Sequence, residues 1–475
     1  MYISSRFFQV SIISFSLAVI SFFSWLNLNL YTSPNDGILY YSIALNIIDN
    51  FSFYSLMFRG DFIYTPQIGI SFVLVPFIIL FGDSWYLFFI IFLCLIWIYS
   101  LLDLSNSLKI TIFKDSNFFQ DKHSIFTFLL FICITSIMLV RISTSFYNES
   151  VTLPLQILIV SKFLLLTYEN DKKNSTLISL VFMASLGIFF RLQFAIIYLA
   201  LFFSLFLSNR LNIFKYLLSF IPIFIYFFLF YLLEQNFHVN TSTSEIESIL
   251  DEIKAKIFYS INSLGIILNF YFFGLGNKFL ILLIFPLTFL YFIALKLVRS
   301  MNKELFTFFL LTIIGNITFV ILFIPVSFFD DPIRYYWHQL IPLTILIMIS
   351  INHYLPLRKI RFGWFTTLFV TFSFSLGIYF HQNIFNKLEK SILSNNLKNI
   401  KVLNEKWHLS DYIIYSEDLR REFFWVSSKG TKSLSKLISA NCNQEDKHFI
   451  LSKNEFIKYK EIDRVDEIIL FKVCI

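Results

Sequence analysis

The chain has 475 residues, 57% of them hydrophobic and only 15% charged, where a soluble domain carries about a quarter charged. That excludes an ordinary soluble fold, because so little polar surface cannot cover a chain of this length, whereas a bilayer accepts apolar surface. The formal charge of +7 does not mark a nucleic-acid binder: the basic residues fall mostly in short loops between apolar runs, where membrane topology accounts for them.

The chain begins Met1–Arg6, followed by an apolar run from Phe7 to Leu30 with no small-x-small cleavage site after it. This predicts a retained first spanning helix rather than a cleaved signal. Further spans are predicted at 84–104, 124–142, 150–168, 175–190, 192–208, 214–233, 277–298, 304–326, 337–355 and 362–380. With the first run they make an all-α polytopic membrane protein of about eleven spanning helices, each near the roughly 20 residues a bilayer needs. The run Ile68–Phe81 is short and contains Pro76, so it is read as re-entrant or interfacial, inside a large first outer loop spanning 31–83. Cys94 and Cys133 lie in apolar runs and are expected to pack as small hydrophobes.

Loop charges set the orientation. Arg6, Lys109/Lys114/Lys122, Lys172/Lys173, Arg210/Lys215, Lys296/Arg299/Lys303 and Arg358/Lys359/Arg361 fall on one side of an alternating topology, which the positive-inside rule makes cytoplasmic. The acidic stretch 234–256 then lies outside, the N-terminus inside and the tail outside the cell's plasma (inner) membrane. The tail, 381–475, is charged, with short apolar runs at Asp411–Tyr415, His448–Leu451 and Glu467–Val473. Helical stretches are expected between them, around 417–425, 431–439 and 453–460. This predicts a multi-pass module over 1–380 and a small extracytoplasmic α/β domain over 381–475. Cys442 and Cys474 both lie in the tail, where an oxidising compartment would permit a disulfide; two free thiols are the alternative.

Helix centres are nearly free of charge, Lys162 excepted, and its stem lets it snorkel to the inner surface. The remaining ionisable residues share the outer side: Asp36, Arg59, Asp61, Arg141, Glu149, Arg191, Asp330, Asp331, Arg334 and His338. That distribution favours a cleft open to one face over a midplane transport site. Asp36 opens an amphipathic stretch with Tyr40, Ala44 and Ile48 at four-residue spacing. There it is either an ionised carboxylate available as base or metal ligand, or, with Asn35, a helix cap. Glu149 precedes a spanning helix, and a helix-terminal charge explains it equally. Arg191 and Arg334 read either as interface anchors or as clamps on a lipid phosphate.

In order along the chain, these residues resemble the GT-C superfamily of polyprenyl-phosphate-sugar glycosyltransferases, the branch with aminoarabinose transferases and protein O-mannosyltransferases. The resemblance runs through Asp36-Gly-Ile-Leu-Tyr40-Tyr-Ser-Ile-Ala44 after the first helix, Tyr64-Thr65-Pro66-Gln67 leading to Phe81-Gly82, Glu149 as the second acidic position, Phe190-Arg191, and Arg334-Tyr335-Tyr336 leading to Pro342. Gly37 stands where the family often has a second acidic residue, and Gln67 where it often has a second proline. The resemblance implies an inverting transfer of a sugar from a polyprenyl-phosphate donor to a hydroxyl or amine of a glycan, lipid or protein acceptor. It assigns Asp36 as base and Glu149 as its partner. Arg334 or Arg191 would hold the leaving phosphate, and Arg59, Tyr40, Tyr64 and His338 would contribute to donor binding. It allows a divalent metal on Asp36 and Glu149 without requiring one. An O-antigen polymerase or ligase, and a lipid-linked-sugar flippase, are the competing readings.

Overall fold

A computed structural model describes residues 35–51, 69–135 apart from 117 and 120, 148–168, 174–207, 280–323, 337–354, 387–416 and 448–473 apart from 457 and 458, with single positions at 221, 224, 225, 228, 418, 419, 423, 426 and 427. The predicted spans 7–30, 214–233 and 362–380 fall wholly or mostly outside these residues. So do the acidic stretch 234–256, the expected helix 431–439, Cys442 and Cys474. Eleven α-helices occur among the described residues: α1 Asn35–Asn50, α2 Gly69–Phe81, α3 Trp85–Ile110, α4 Lys122–Thr135, α5 Asn148–Tyr168, α6 Asn174–Phe190, α7 Phe194–Leu207, α8 Leu280–Met301, α9 Lys303–Phe323, α10 Leu340–Tyr354 and α11 Lys387–Trp407.

Three helices, Trp85–Ile110, Asn148–Tyr168 and Lys303–Leu322, are long and apolar enough to cross a membrane. Their outward rows fit lipid rather than water. On α3 the exposed side chains Leu87, Ile91, Leu95 and Tyr99 recur every four residues, and on α7 Leu199, Phe203 and Leu207 do the same. That spacing gives one helical stripe, and in water such a surface would be an aggregation patch. Here it is the lipid-facing surface of a membrane protein. The inward rows meet in one large core, in which α3 packs on α5, α7 on α9 and α8 on α10. A smaller core joins α1 and α2 to the start of α3 through Tyr40, Ala44, Ile70, Leu74, Trp85 and Phe89. α2 has only 13 residues, about 20 Å of helix, short of the ~30 Å hydrocarbon core.

The contacts sort the helix ends into two groups. Ser204 near the end of α7 donates to the Glu304 carbonyl at the start of α9. Ser116, in the turn after α3, bonds Asn352 at the end of α10. The basic residues Lys109, Lys114, Arg299 and Lys303 therefore gather at one end of the bundle, as an alternating topology requires. Lys109 also caps its helix, donating to the carbonyls of Phe113, Lys114 and Phe119. Lys162 has a partner that the sequence did not suggest. α3 runs on to Ile110 because nothing in Leu104–Ile110 breaks a helix, so Asp103 is carried alongside α5. It accepts Lys162 Nζ at 3.3 Å and Ser161 Oγ at 2.6 Å.

The tail builds a four-stranded sheet in the order β1-β2-β4-β3, from β1 Ile413–Tyr415, β2 His448–Ser452, β3 Lys460–Val465 and β4 Ile468–Lys472. β1 and β2 are parallel, and the other pairs are antiparallel. The predicted runs at 411–415, 448–451 and 467–473 became strands. The helix expected around 453–460 did not form: Lys460–Val465 hydrogen-bonds to β4 instead, through a tight turn with Asp466 at φ 52°. α11 was not foreseen. Its Ile400 and Leu403 pack on one face of the sheet with Leu409, Ile414, Phe449, Leu451, Ile468 and Leu470.

Candidate functional site

The site assembles where four pieces of chain meet at the bundle end opposite the basic turns. The first is the turn between α6 and α7. Gly187 makes it tight, since a Cβ there would lie 2.1 Å from the Phe194 ring. Arg191 closes α6 onto the Gly187 carbonyl at 2.9 Å, and Phe194 N starts α7 on the Arg191 carbonyl at 2.9 Å. The three residues of the turn thus present Arg191 and Gln193 inward, both buried.

The second piece is the start of α5. Asn148 Oδ1 accepts Ile70 N of α2 at 3.1 Å, capping a neighbouring helix whose first amides have no intrahelical partner. Glu149 follows in the first turn, where the helix dipole favours a carboxylate. Pro154 cannot donate to the Ser150 carbonyl one turn earlier, and Trp97 Nε1 of α3 makes that bond at 3.2 Å. The start of α5 is therefore locked from outside despite its proline. α2 supplies the third piece. Gly69 lies against Phe190, where a Cβ would come within 2.8 Å of the backbone Cα. The fourth is the short turn Trp337–Gln339 leading into α10.

At the centre, Arg191 Nη1 makes an ion pair with Glu149 Oε1, with side-chain exposures of 4% and 0%. Arg191 Nε donates to Gln193 Oε1 at 2.8 Å. Arg191 lies near enough to act electrostatically on His338. The His338 ring stands edge-on to Phe194 with centroids 5.7 Å apart, and its backbone carbonyl accepts Gln156 Nε2 of α5 at 2.6 Å. Gln156 lies two turns below Glu149, about 10 Å along the axis, so the site reaches down into the bundle.

Three of the sequence-predicted residues are therefore brought together: Glu149, Arg191 and His338. Tyr40 is buried in the α1–α2 core. Asp36 is the second residue of α1, at a helix N-terminus as expected, and its side chain lies outside the described residues. Arg59, Tyr64 and Arg334 lie outside them as well. Sequence reasoning missed Asn148, Gln156, Gln193 and Gln339. Lone amides within apolar runs were the available signal. Glu149 does not suit a divalent cation, because the guanidinium on its carboxylate already places a positive charge there. Among the described residues, no three of His, Cys, Asp and Glu come together.

No protein-family model matches the chain, and no curated protein matches it. Among solved structures, the fold is similar to that of ArnT from Cupriavidus metallidurans bound to undecaprenyl phosphate. The TM-score is 0.53 at 10% sequence identity, over 98% of this chain and 98% of that one. The apo state of the same protein gives a TM-score of 0.48 at 10% identity, over 93% and 94% of the two chains. The likeness is one of fold, and it extends over nearly the whole of both chains.

Proposed function

We propose that this protein is a membrane glycosyltransferase that takes a sugar from a polyprenyl-phosphate donor and passes it to an acceptor hydroxyl or amine. The observation that carries the reading is the buried Arg191, held by Glu149 and Gln193, in a fold similar to a structure bound to undecaprenyl phosphate. Burying an ion pair costs several kcal/mol per charge before their attraction is counted. Charges inside a membrane protein are kept chiefly for function.

In this reading the leaving group is a polyprenyl phosphate, and its departure is helped by fixed positive charge. Arg191 supplies that charge, and Glu149 and Gln193 fix its direction before the donor arrives. Arg334, which precedes α10 in the sequence, is assigned a second positive charge for the same phosphate. Asp36, at the start of α1, takes the proton from the acceptor as the acceptor oxygen or nitrogen attacks the anomeric carbon. A single displacement inverts that carbon.

The test is release of polyprenyl phosphate by purified protein from an undecaprenyl-phosphate sugar, with and without acceptor. Asp36→Asn can still cap a helix but loses its charge. It should fold normally and turn over about a hundredfold or more slower, the range for a lost general base. Arg334→Ala should raise the donor KM strongly, and Arg334→Lys should keep part of the activity. Near-normal turnover by a well-folded Asp36→Asn protein would remove Asp36 from the mechanism. Movement of donor lipid across vesicles without any sugar release would favour a flippase.

A further inference from the structure

Directly beneath the Glu149–Arg191 pair lies a layer of neutral polar side chains. Gln156 on α5, Gln339 in the turn before α10, and Thr312 and Asn316 one turn apart on α9 all have 0% exposure. They are tied together by backbone contacts. Gln156 Nε2 donates to the carbonyl of His338, the neighbour of Gln339. Gln339 Nε2 reaches the carbonyl of Ile313, the neighbour of Thr312, at 3.5 Å. The amides are thereby held by their NH2 groups. Gln156 Oε1, Gln339 Oε1 and the Thr312 hydroxyl have no hydrogen-bond partner among the described residues.

Buried polar atoms are paired in nearly all proteins, and each exception calls for a reason. One such atom is tolerable, but three in a single stratum of a membrane bundle are expensive, because no water of the bilayer core can relieve them. Their chemistry is specific. Two amide oxygens and a hydroxyl carry no charge, and an amide oxygen only accepts hydrogen bonds, so they do not recognise a phosphate. Three neutral oxygens with no carboxylate among them also fall short of the ligand set a divalent cation takes. They suit a neutral ligand rich in hydroxyl groups, to which an amide oxygen accepts and a threonine hydroxyl both donates and accepts.

Building on the function proposed above, we infer that the Gln156–Gln339–Thr312 layer is the subsite that reads the hydroxyl pattern of the donor's sugar, separately from the charged pair that holds its phosphate. The arrangement divides the work: Arg191 attends to the anion common to all such donors, and the neutral layer to the part that differs among them. A site that hydrogen-bonds a hydroxyl discriminates strongly against an analogue lacking it, because its own groups are then left unpaired.

The experiment measures binding to the full-length protein in detergent, with undecaprenyl phosphate alone and with undecaprenyl phosphate carrying arabinose, mannose, galactose or N-acetylglucosamine. Wild-type protein should bind undecaprenyl phosphate and prefer at least one sugar-linked form. Thr312→Val, nearly the same shape, should bind undecaprenyl phosphate as wild type does. It should lose about three- to tenfold in affinity for the preferred form, the worth of one neutral hydrogen bond. Gln339→Leu should flatten the preference further. Thr312→Val removes an unpartnered buried group, so its melting temperature should hold or rise. Gln339→Leu gives up the long 3.5 Å bond to the Ile313 carbonyl along with its unpartnered oxygen, so its melting temperature should stay near that of wild type. A fall in melting temperature with sugar preference intact would make the layer structural and overturn the inference. So would a wild type that binds every sugar-linked lipid no better than undecaprenyl phosphate. Failure of wild type to bind undecaprenyl phosphate at all would instead overturn the proposed function, and the inference with it.

Discussion

Two acid–base pairs lie toward opposite ends of one helix, α5. Glu149 meets Arg191 at its start, with exposures of 0% and 4%; Lys162 meets Asp103 near its end, with exposures of 30% and 18%. They are about 20 Å apart along the axis at 1.5 Å per residue. The chemistry is nearly the same and the surroundings are not. The upper pair is buried, and removing either partner strands the other charge in a dry interior. The lower pair sits beside the hydroxyls of Ser161 and Ser107 and keeps contact with its surroundings, where a pair is worth little. Burial rather than charge type separates a site from a surface feature.

The largest effect should come from Arg191→Ala. Turnover should fall about a hundredfold or more, as when a fixed donor to a developing anion is lost, and the donor KM should rise. Steady-state kinetics with purified undecaprenyl-phosphate sugar would measure both. Arg191→Lys keeps a charge but not the fork that engages Glu149 and Gln193, so it should fall between. Next is Glu149→Gln, which leaves the guanidinium without its counter-charge. It should lower stability by about 3–5 kcal/mol, read as a large drop in melting temperature.

A smaller effect lies in the tail. Asp463 accepts Lys406 Nζ at 2.7 Å and Trp407 Nε1 at 2.6 Å. The Lys406 bond first, and then the Trp407 bond, hold its pKa below the ordinary carboxylate value. A depressed folded pKa means the stabilisation is fully present above the unfolded value of about 3.9. It is lost as pH falls through the folded value. The full-length protein should therefore melt lower at pH 3 than at pH 6, and Asp463→Asn should shrink that difference. The smallest effect belongs to Lys162→Met: a stability change within about 1 kcal/mol and turnover at the wild-type level. A hundredfold loss in Lys162→Met would erase the distinction between the two pairs.

The sequence carried the membrane class, the bounds of most described helices and the shared side of Glu149, Arg191 and His338. Those follow from hydropathy runs and alternating loop charge, which are local or nearly so. It did not carry the partners. That Glu149 faces Arg191, 42 positions later in the chain, depends on the tight turn that Gly187 permits between α6 and α7. Gln193 and Gln339 were passed over because a single amide in an apolar run has no periodic signature. Its meaning comes from what tertiary packing sets beside it. Asp103 drew no notice for a simpler reason: it stands at the edge of the apolar run, which ends near residue 104, whereas the helix continues to Ile110. In the tail, Lys460–Val465 alternates too weakly to read as a strand, and only its pairing with Ile468–Lys472 makes it one.

The most direct measurement is on the double variant Glu149→Leu/Arg191→Met, which replaces the sealed pair with apolar side chains of similar bulk. Apolar replacement of a buried pair is often neutral or stabilising. The role assigned to the pair therefore requires a melting temperature at or above that of wild type and no detectable release of undecaprenyl phosphate from a sugar-linked donor. A double variant that melts like wild type and still releases undecaprenyl phosphate at the wild-type rate would contradict it, and would make the pair a dispensable part of the packing.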